Sequence, residues 1–104
     1  MKVSAKINRD NLYIFLEGEI DKSVAGELRV KLDDYLNSVK VKNVILNMKE
    51  LTFMDSTGVG LIMGRYKNMR FMGGTVTAVH VNERIRRILT LSGVYKMLDI
   101  SDMR

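Results

Sequence analysis

The sequence predicts a small α/β domain: a mixed β-sheet with an N-terminal hairpin and amphipathic helices packed against it. Three observations carry that expectation. Apolar residues alternate with polar ones near the N-terminus, a continuous apolar run occupies Val44, Ile45 and Leu46, and three segments repeat apolar residues at helical spacing. With 104 residues the chain makes one domain, 1–104, and is too short for two.

Val3, Ala5 and Ile7 alternate with polar neighbours, as a half-buried strand requires, and Asn8-Arg9-Asp10-Asn11 reads as a tight turn. Leu12, Ile14 and Leu16 then share one face of a second strand, with Tyr13 and Phe15 on the other, so the two strands pair as a hairpin. Glu17-Gly18-Glu19-Ile20-Asp21 follows as an acidic loop in a basic protein. Asp21 or Ser23 caps the first helix, whose buried stripe is Val24, Leu28, Leu32, Tyr35 and Leu36, with Glu27, Lys31 and Asp34 facing water. Residues 41–48 form an apolar strand of the kind covered on both faces.

A second helix starts after Asp55, with Val59, Ile62, Met63, Tyr66 and Met69 facing inward and Gly73-Gly74 as its stop. Residues 75–81 form the next strand. Asn82 caps a third helix in which Ile85, Ile88, Leu89 and Ser92 face inward and Gly93 supplies the end. Residues 94–100 make a short last strand. Strands alternating with helices after the hairpin imply crossover connections within one mixed sheet.

Composition removes several chemistries. There is no cysteine, so disulfides, thiol nucleophiles and thiolate metal sites are excluded, and the single histidine, His80, cannot make a His-rich metal cluster. No apolar run is long enough to span a bilayer and no signal-peptide core opens the chain, so stable membrane insertion is not expected and a cytoplasmic location is. Lys and Arg number 17 against 12 Asp and Glu, a formal charge of +5. That charge suits nucleic acid, an anionic surface or an acidic protein alike. The basic residues are scattered, with local groups only at Arg65, Lys67 and Arg70 and at Arg84, Arg86 and Arg87, and aromatics are few; direct nucleic-acid binding is therefore the rival expectation rather than the leading one.

The informative stretch is Leu51-Thr52-Phe53-Met54-Asp55-Ser56-Thr57-Gly58-Val59-Gly60, which follows the apolar strand and opens the second helix. Asp55, Ser56 and Thr57 all suit a helix start, where free N–H groups and the helix dipole favour an anion, including a phosphate esterified to Ser56. Capping alone explains the same residues. Gly58 and Gly60 each cost about 1 kcal/mol relative to alanine in a helix. Either a partner's backbone approaches them or they permit close packing against the sheet. Gly64 extends this low-relief face by a turn, and Leu61 and Met54 flank it as apolar contacts for a docked protein. Gly58-Val59-Gly60 lacks the Lys-Ser/Thr of a phosphate-binding loop, and Gly18 and Gly26 complete no dinucleotide motif. Asp55 beside Ser56 makes no catalytic triad, and His80, at a strand end, has no evident path to Ser56. Glu17, Glu19 and Asp21 match no calcium loop. No catalysis and no cofactor or metal are expected.

These stretches together resemble the STAS-domain family, in its anti-anti-sigma class. Gly18-Glu19-Ile20-Asp21, Val44-Ile45-Leu46-Asn47-Met48 and residues 51–60 carry the resemblance; Gly64-Arg65-Tyr66-Lys67, Gly73-Gly74 and Leu91-Ser92-Gly93-Val94 extend it in order across nearly the whole chain. The resemblance implies a partner-switching cycle. The unphosphorylated protein binds an anti-sigma factor that is also a serine kinase and displaces a sigma factor; phosphorylation ends that binding and a serine phosphatase restores it. By the same resemblance Ser56 is the acceptor, Thr57 the neighbouring hydroxyl and Asp21 part of the docking surface. Asp55, Gly58 and Gly60 shape the acceptor loop, and Leu61 and Gly64 belong to the exposed docking side of the second helix. The family's sporulation branch is the nearer match and its general-stress branch the alternative. Members commonly carry a further C-terminal helix, whereas only Ser101-Asp102-Met103-Arg104 follow the last expected strand here.

Overall fold

Strands and helices alternate as the periodicity requires. The computed structural model describes residues 1–38, 40–93 and 99–100, in the order β1 (Lys2–Asn8), β2 (Asn11–Ile20), α1 (Lys22–Ser38), β3 (Asn43–Met54), α2 (Ser56–Phe71), β4 (Thr75–Val79), α3 (Glu83–Leu91) and β5 (Asp99–Ile100). The sheet order is β1-β2-β3-β4-β5, antiparallel at β1–β2 and parallel elsewhere. Of the expected last strand, residues 99–100 pair with Thr77 and Ala78, while 94–98 lie outside the described residues, as do 101–104.

Arg9 and Asp10 close the hairpin between the paired residues Asn8 and Asn11, with Arg9 at φ +59°. The Asp10 carbonyl accepts N–H bonds from Lys42 and Asn43, which ties the turn to the start of β3. Asn43 Nδ2 donates to Asn11 Oδ1 at 3.0 Å, and Thr75 Oγ1 donates to Asn43 Oδ1 at 2.8 Å. This polar ladder links three strands at one end of the sheet and fixes the register from which the opposite end is counted.

Leu12, Ile14, Leu16, Val44, Leu46, Met48, Val76 and Ala78 form the sheet's side of the core, joined by Leu28, Leu32 and Leu36 of α1, Ile62 and Met69 of α2, and Ile85 and Leu89 of α3. The expectation that β3 is covered on both faces is corrected. Tyr13, Ile45 and Asn47 on the other face are half-buried and Phe15 is exposed. Ile45 is shielded by its in-register neighbours Tyr13 and Thr77, a cross-strand effect that produces the same apolar run as helix cover. Ile7, on the outer strand of the hairpin, is also exposed.

Two further expectations shift. The acidic stretch Glu17-Gly18-Glu19-Ile20 is strand, not loop, because β3 continues to Met54 and pairs with it through two register irregularities, with Gly18 at φ +112°. Ser92 is exposed at the C-cap of α3, its hydroxyl donating to the Ile88 carbonyl, rather than facing inward. The expected stops hold: Gly73, at φ +81°, donates to the Arg70 carbonyl and Gly74 to that of Met69, the paired bonds of a Schellman turn, and Gly93 ends α3 at φ +76°.

Candidate functional site

Ile20 and Met54 are in-register neighbours at the ends of the parallel strands β2 and β3. Each is followed by an aspartate and then a helix. Asp21 and Asp55 therefore head α1 and α2 side by side, beyond the carboxyl ends of two interior strands, where both helix N-termini open. The Asp55 N–H donates to the Ile20 carbonyl at 3.2 Å, which couples the two strand exits.

Asp21 caps α1. Its Oδ1 accepts from the Ser23 N–H at 2.9 Å and the Ser23 hydroxyl at 2.6 Å, and its carbonyl accepts from Val24 and Ala25. The Ser23 hydroxyl bond is the largest cause holding the Asp21 carboxyl below the ordinary 3.8; desolvation opposes it, and backbone N–H groups of Ser23 and Val24 add to the lowering. A carboxyl lowered on folding stabilises the fold fully above its unfolded value and loses that contribution as pH falls through the folded value, below about pH 4. Between pH 5 and 3, denaturant unfolding is expected to show a smaller acid loss for Asp21→Asn, which keeps a capping acceptor but does not titrate. Equal losses in the two proteins would remove Asp21 from the acid response.

Asp55 caps α2 with extended backbone at φ −103° and ψ −172°. Its Oδ1 accepts from the N–H groups of Thr57 at 2.9 Å and Gly58 at 3.1 Å, satisfying two of the first-turn donors. Capping thus belongs to Asp55, and Ser56 is the first helical residue, exposed, with no side-chain hydrogen bond to any described residue. Thr57 is exposed beside it.

The glycines divide. Gly58 is buried, and a Cβ there meets Met54 Cγ at 2.6 Å and Ile20 Cγ2 at 2.9 Å: it permits close packing of α2 on the two strand ends. At Gly60 and Gly64 a Cβ meets nothing within 4 Å. Met54 is fully buried and Leu61 is 8 % exposed, which corrects the expectation that both offer apolar surface. Leu61 keeps an edge in a groove of about 450 Å³ between α1 and α2 that also borders Thr57, Gly60 and Gly64.

The expected basic group on α2 also divides: Lys67 and Arg70 face water, while Arg65 is 8 % exposed and places Nε 3.1 Å from Asp33 Oδ1 of α1. Asp33 Oδ2 lies 3.8 Å from Arg29 Nε. This inter-helix network was not anticipated. The signal for it was present, since Arg65 stands four residues from both Leu61 and Met69, which are buried. Glu17 and Glu19 are exposed on β2 and do not join a ligand set; among the described residues no group of three or more His, Asp or Glu side chains suits a metal ion. His80 is half-buried just after β4 at φ +56°. Among the described residues no helix is long and apolar enough to cross a membrane.

Among the described residues the fold is a five-stranded mixed sheet with two Asp-capped helices opening side by side, and the chain belongs to the STAS-domain family, whose model matches residues 2–103. Among its relatives is the anti-sigma F factor antagonist of Paenibacillus polymyxa, 32% identical over 102 residues covering 98% of this chain and 87% of the relative. The anti-sigma-B factor antagonist of Bacillus subtilis (strain 168) is 31% identical over 101 residues, covering 97% and 91% respectively. In three dimensions the chain is similar to the anti-sigma factor antagonist SpoIIAA in its unphosphorylated form, with a TM-score of 0.81, 25% identity and coverage of 97% of this chain and 89% of that one.

Proposed function

We propose that the protein is an anti-sigma factor antagonist that acts by partner switching, with Ser56 as its phosphorylated switch and no catalysis of its own. In its unmodified form it binds an anti-sigma factor that doubles as a serine kinase, and so frees a sporulation sigma factor inside the cell. Modification of Ser56 ends the binding and a serine phosphatase restores it.

The observation that carries this reading is the setting of Ser56. The residue is exposed and its hydroxyl is held by no described side chain, at the N-terminus of a helix whose cap is a different residue. A kinase therefore reaches it without unfolding the helix start. A phosphate there adds about −1.5 to −2 charges and brings the formal +5 to about +3. It follows the Asp55 cap directly, on a helix start joined to the strand that leads into Asp21, so a protein surface matched to the unmodified site meets added negative charge there. Asp21, Asp55, Thr57 and the outward side of α2 at Gly60 and Gly64 complete the docking face in this reading, with Gly58 holding α2 against the strand ends.

Incubating the purified protein with its anti-sigma factor and ATP, followed by peptide mass mapping, is expected to place one phosphate on Ser56. A Ser56→Ala protein phosphorylated to the normal extent at another residue overturns the assignment. The 31% identity to an anti-sigma-B factor antagonist favours one second reading, control of a general-stress sigma factor by the same switch. The two separate by which class of anti-sigma factor the protein binds.

A further inference from the structure

The parallel strands β2, β3 and β4 begin at one end of the sheet, at Asn11, Asn43 and Thr75. The hairpin turn, the chain before β3 and the end of α2 therefore lie together there, at the opposite end from Asp21 and Asp55. Backbone bonds tie them side by side: the Lys42 N–H donates to the Asp10 carbonyl at 2.9 Å, and the Thr75 N–H to the Lys42 carbonyl at 2.8 Å. Charge separates along the strands. The connections at residues 9–10, 40–42 and 70–74 carry Arg9, Lys40, Lys42 and Arg70, all exposed, against the one acid Asp10. Strand ends and helix starts at the other end carry Glu19, Asp21, Asp55 and Glu83 against Lys22 and Arg84.

The basic end also carries apolar side chains that the core does not use. Phe71, the last residue of α2, is 94 % exposed, and its C-cap Met72 is 61 % exposed. Met69 already anchors this helix end in the core, so neither is needed to hold it. Beside Met72 a hollow of about 320 Å³ is bordered by Leu36, Val41 and Met69, with Lys40 as the one ionisable residue among those bordering it. Arg70, in the last turn of α2, offsets the negative end of that helix's dipole. Exposed apolar tips beside a cationic platform are the composition of a surface that lies in a lipid interface.

We propose that this end of the domain docks on an anionic lipid surface, Phe71 and Met72 entering the boundary between headgroups and acyl chains and Arg9, Lys40, Lys42 and Arg70 facing the lipid phosphates. Complementary charge draws the basic end down and turns the acidic end away. The exposure of Phe71 favours lipid over an acidic protein. A phenylalanine projecting from a helix end needs a matching pocket in a protein, whereas hydrocarbon accepts a side chain of any outline. Docked this way the protein keeps Asp21, Asp55 and Ser56 turned to solvent. The inference therefore does not rest on the function proposed above, and attachment leaves that site free.

The test is cosedimentation of the full chain with vesicles of equal parts phosphatidylglycerol and phosphatidylcholine, and with vesicles of phosphatidylcholine alone. The wild type should bind the anionic vesicles and not the neutral ones, and release as salt rises. Lys40→Glu and Phe71→Ser should each lower binding by about tenfold or more. Because Phe71 is exposed, Phe71→Ser should melt with the wild type. Arg84→Glu makes the same change in net charge at the acidic end and should stay within about twofold of the wild type. If Arg84→Glu falls as far as Lys40→Glu, net charge rather than this end is the cause and the proposal is overturned. Phe71→Ser binding like the wild type overturns it too, since no side chain then enters the interface. A wild type left in the supernatant by anionic vesicles overturns it outright and assigns the patch to an acidic protein.

Discussion

Ser56→Asp is expected to weaken binding to the anti-sigma factor by roughly 30- to 1,000-fold, about 2–4 kcal/mol, while its melting temperature stays near that of the wild type. The two halves of that result have one cause. At the first position of α2 a negative charge meets the dipole end that favours it, which contributes about 0.3–1 kcal/mol to the fold, and the Asp55 carboxylate next to it takes some of this back. The free protein therefore tolerates the charge. In the proposed complex the same group is to lose its water, and a desolvated carboxylate with no cation facing it is costly. Ser56→Ala separates the terms from the other side. Asp55 accepts the N–H bonds of Thr57 and Gly58, so alanine removes no cap and should shift stability by less than about 0.5 kcal/mol. It should bind like the wild type and resist modification. If Ser56→Asp melts well below the wild type, lost binding is ascribed to a damaged helix start and the electrostatic switch is wrong.

The helix starts were legible because capping is local chemistry. Asp21, Asp55 and Asn82 each precede an apolar stripe, and each places a side-chain oxygen on N–H groups two or three residues on. Gly73-Gly74 was legible for the same reason. The far ends of β2 and β3 were not. Glu17, Gly18 and Glu19 carry loop chemistry, and they become strand only because residues 50–54, distant in sequence, pair with them through an irregular register. That pairing is what brings Asp21 beside Asp55: residue spacing showed each half of the motif separately, and only the family resemblance put Asp21 on one surface with the acceptor loop. Arg65 was hidden differently. A charged residue is assigned to water by default, and only Asp33 on another helix makes its burial tolerable.

Gly58 and Gly60 are two residues apart in α2, and alanine is expected to act on them with opposite sign. At Gly60 the new methyl meets nothing within 4 Å, so the better helix propensity is realised and stability should rise by about 0.5–1 kcal/mol. At Gly58 the methyl stands 2.6 Å from Met54 Cγ and 2.9 Å from Ile20 Cγ2, and neither side chain has exposed surface into which to move. Such overpacking costs about 1–3 kcal/mol, which exceeds the propensity gain of about 1 kcal/mol. For a domain of this size each kcal/mol moves the midpoint by about 4–8 °C, so thermal melts of the two variants should diverge clearly. The strain also has a direction. Met54 and Ile20 are the last residues before Asp55 and Asp21, joined through the Asp55 N–H to the Ile20 carbonyl. Pressure from position 58 therefore displaces both caps together, and Gly58→Ala should slow Ser56 phosphorylation as well as lower stability, whereas Gly60→Ala should raise stability without altering the acceptor loop. If Gly58→Ala proves as stable as the wild type, the strand ends yield freely, and the rigid coupling of the two helix starts is lost with it.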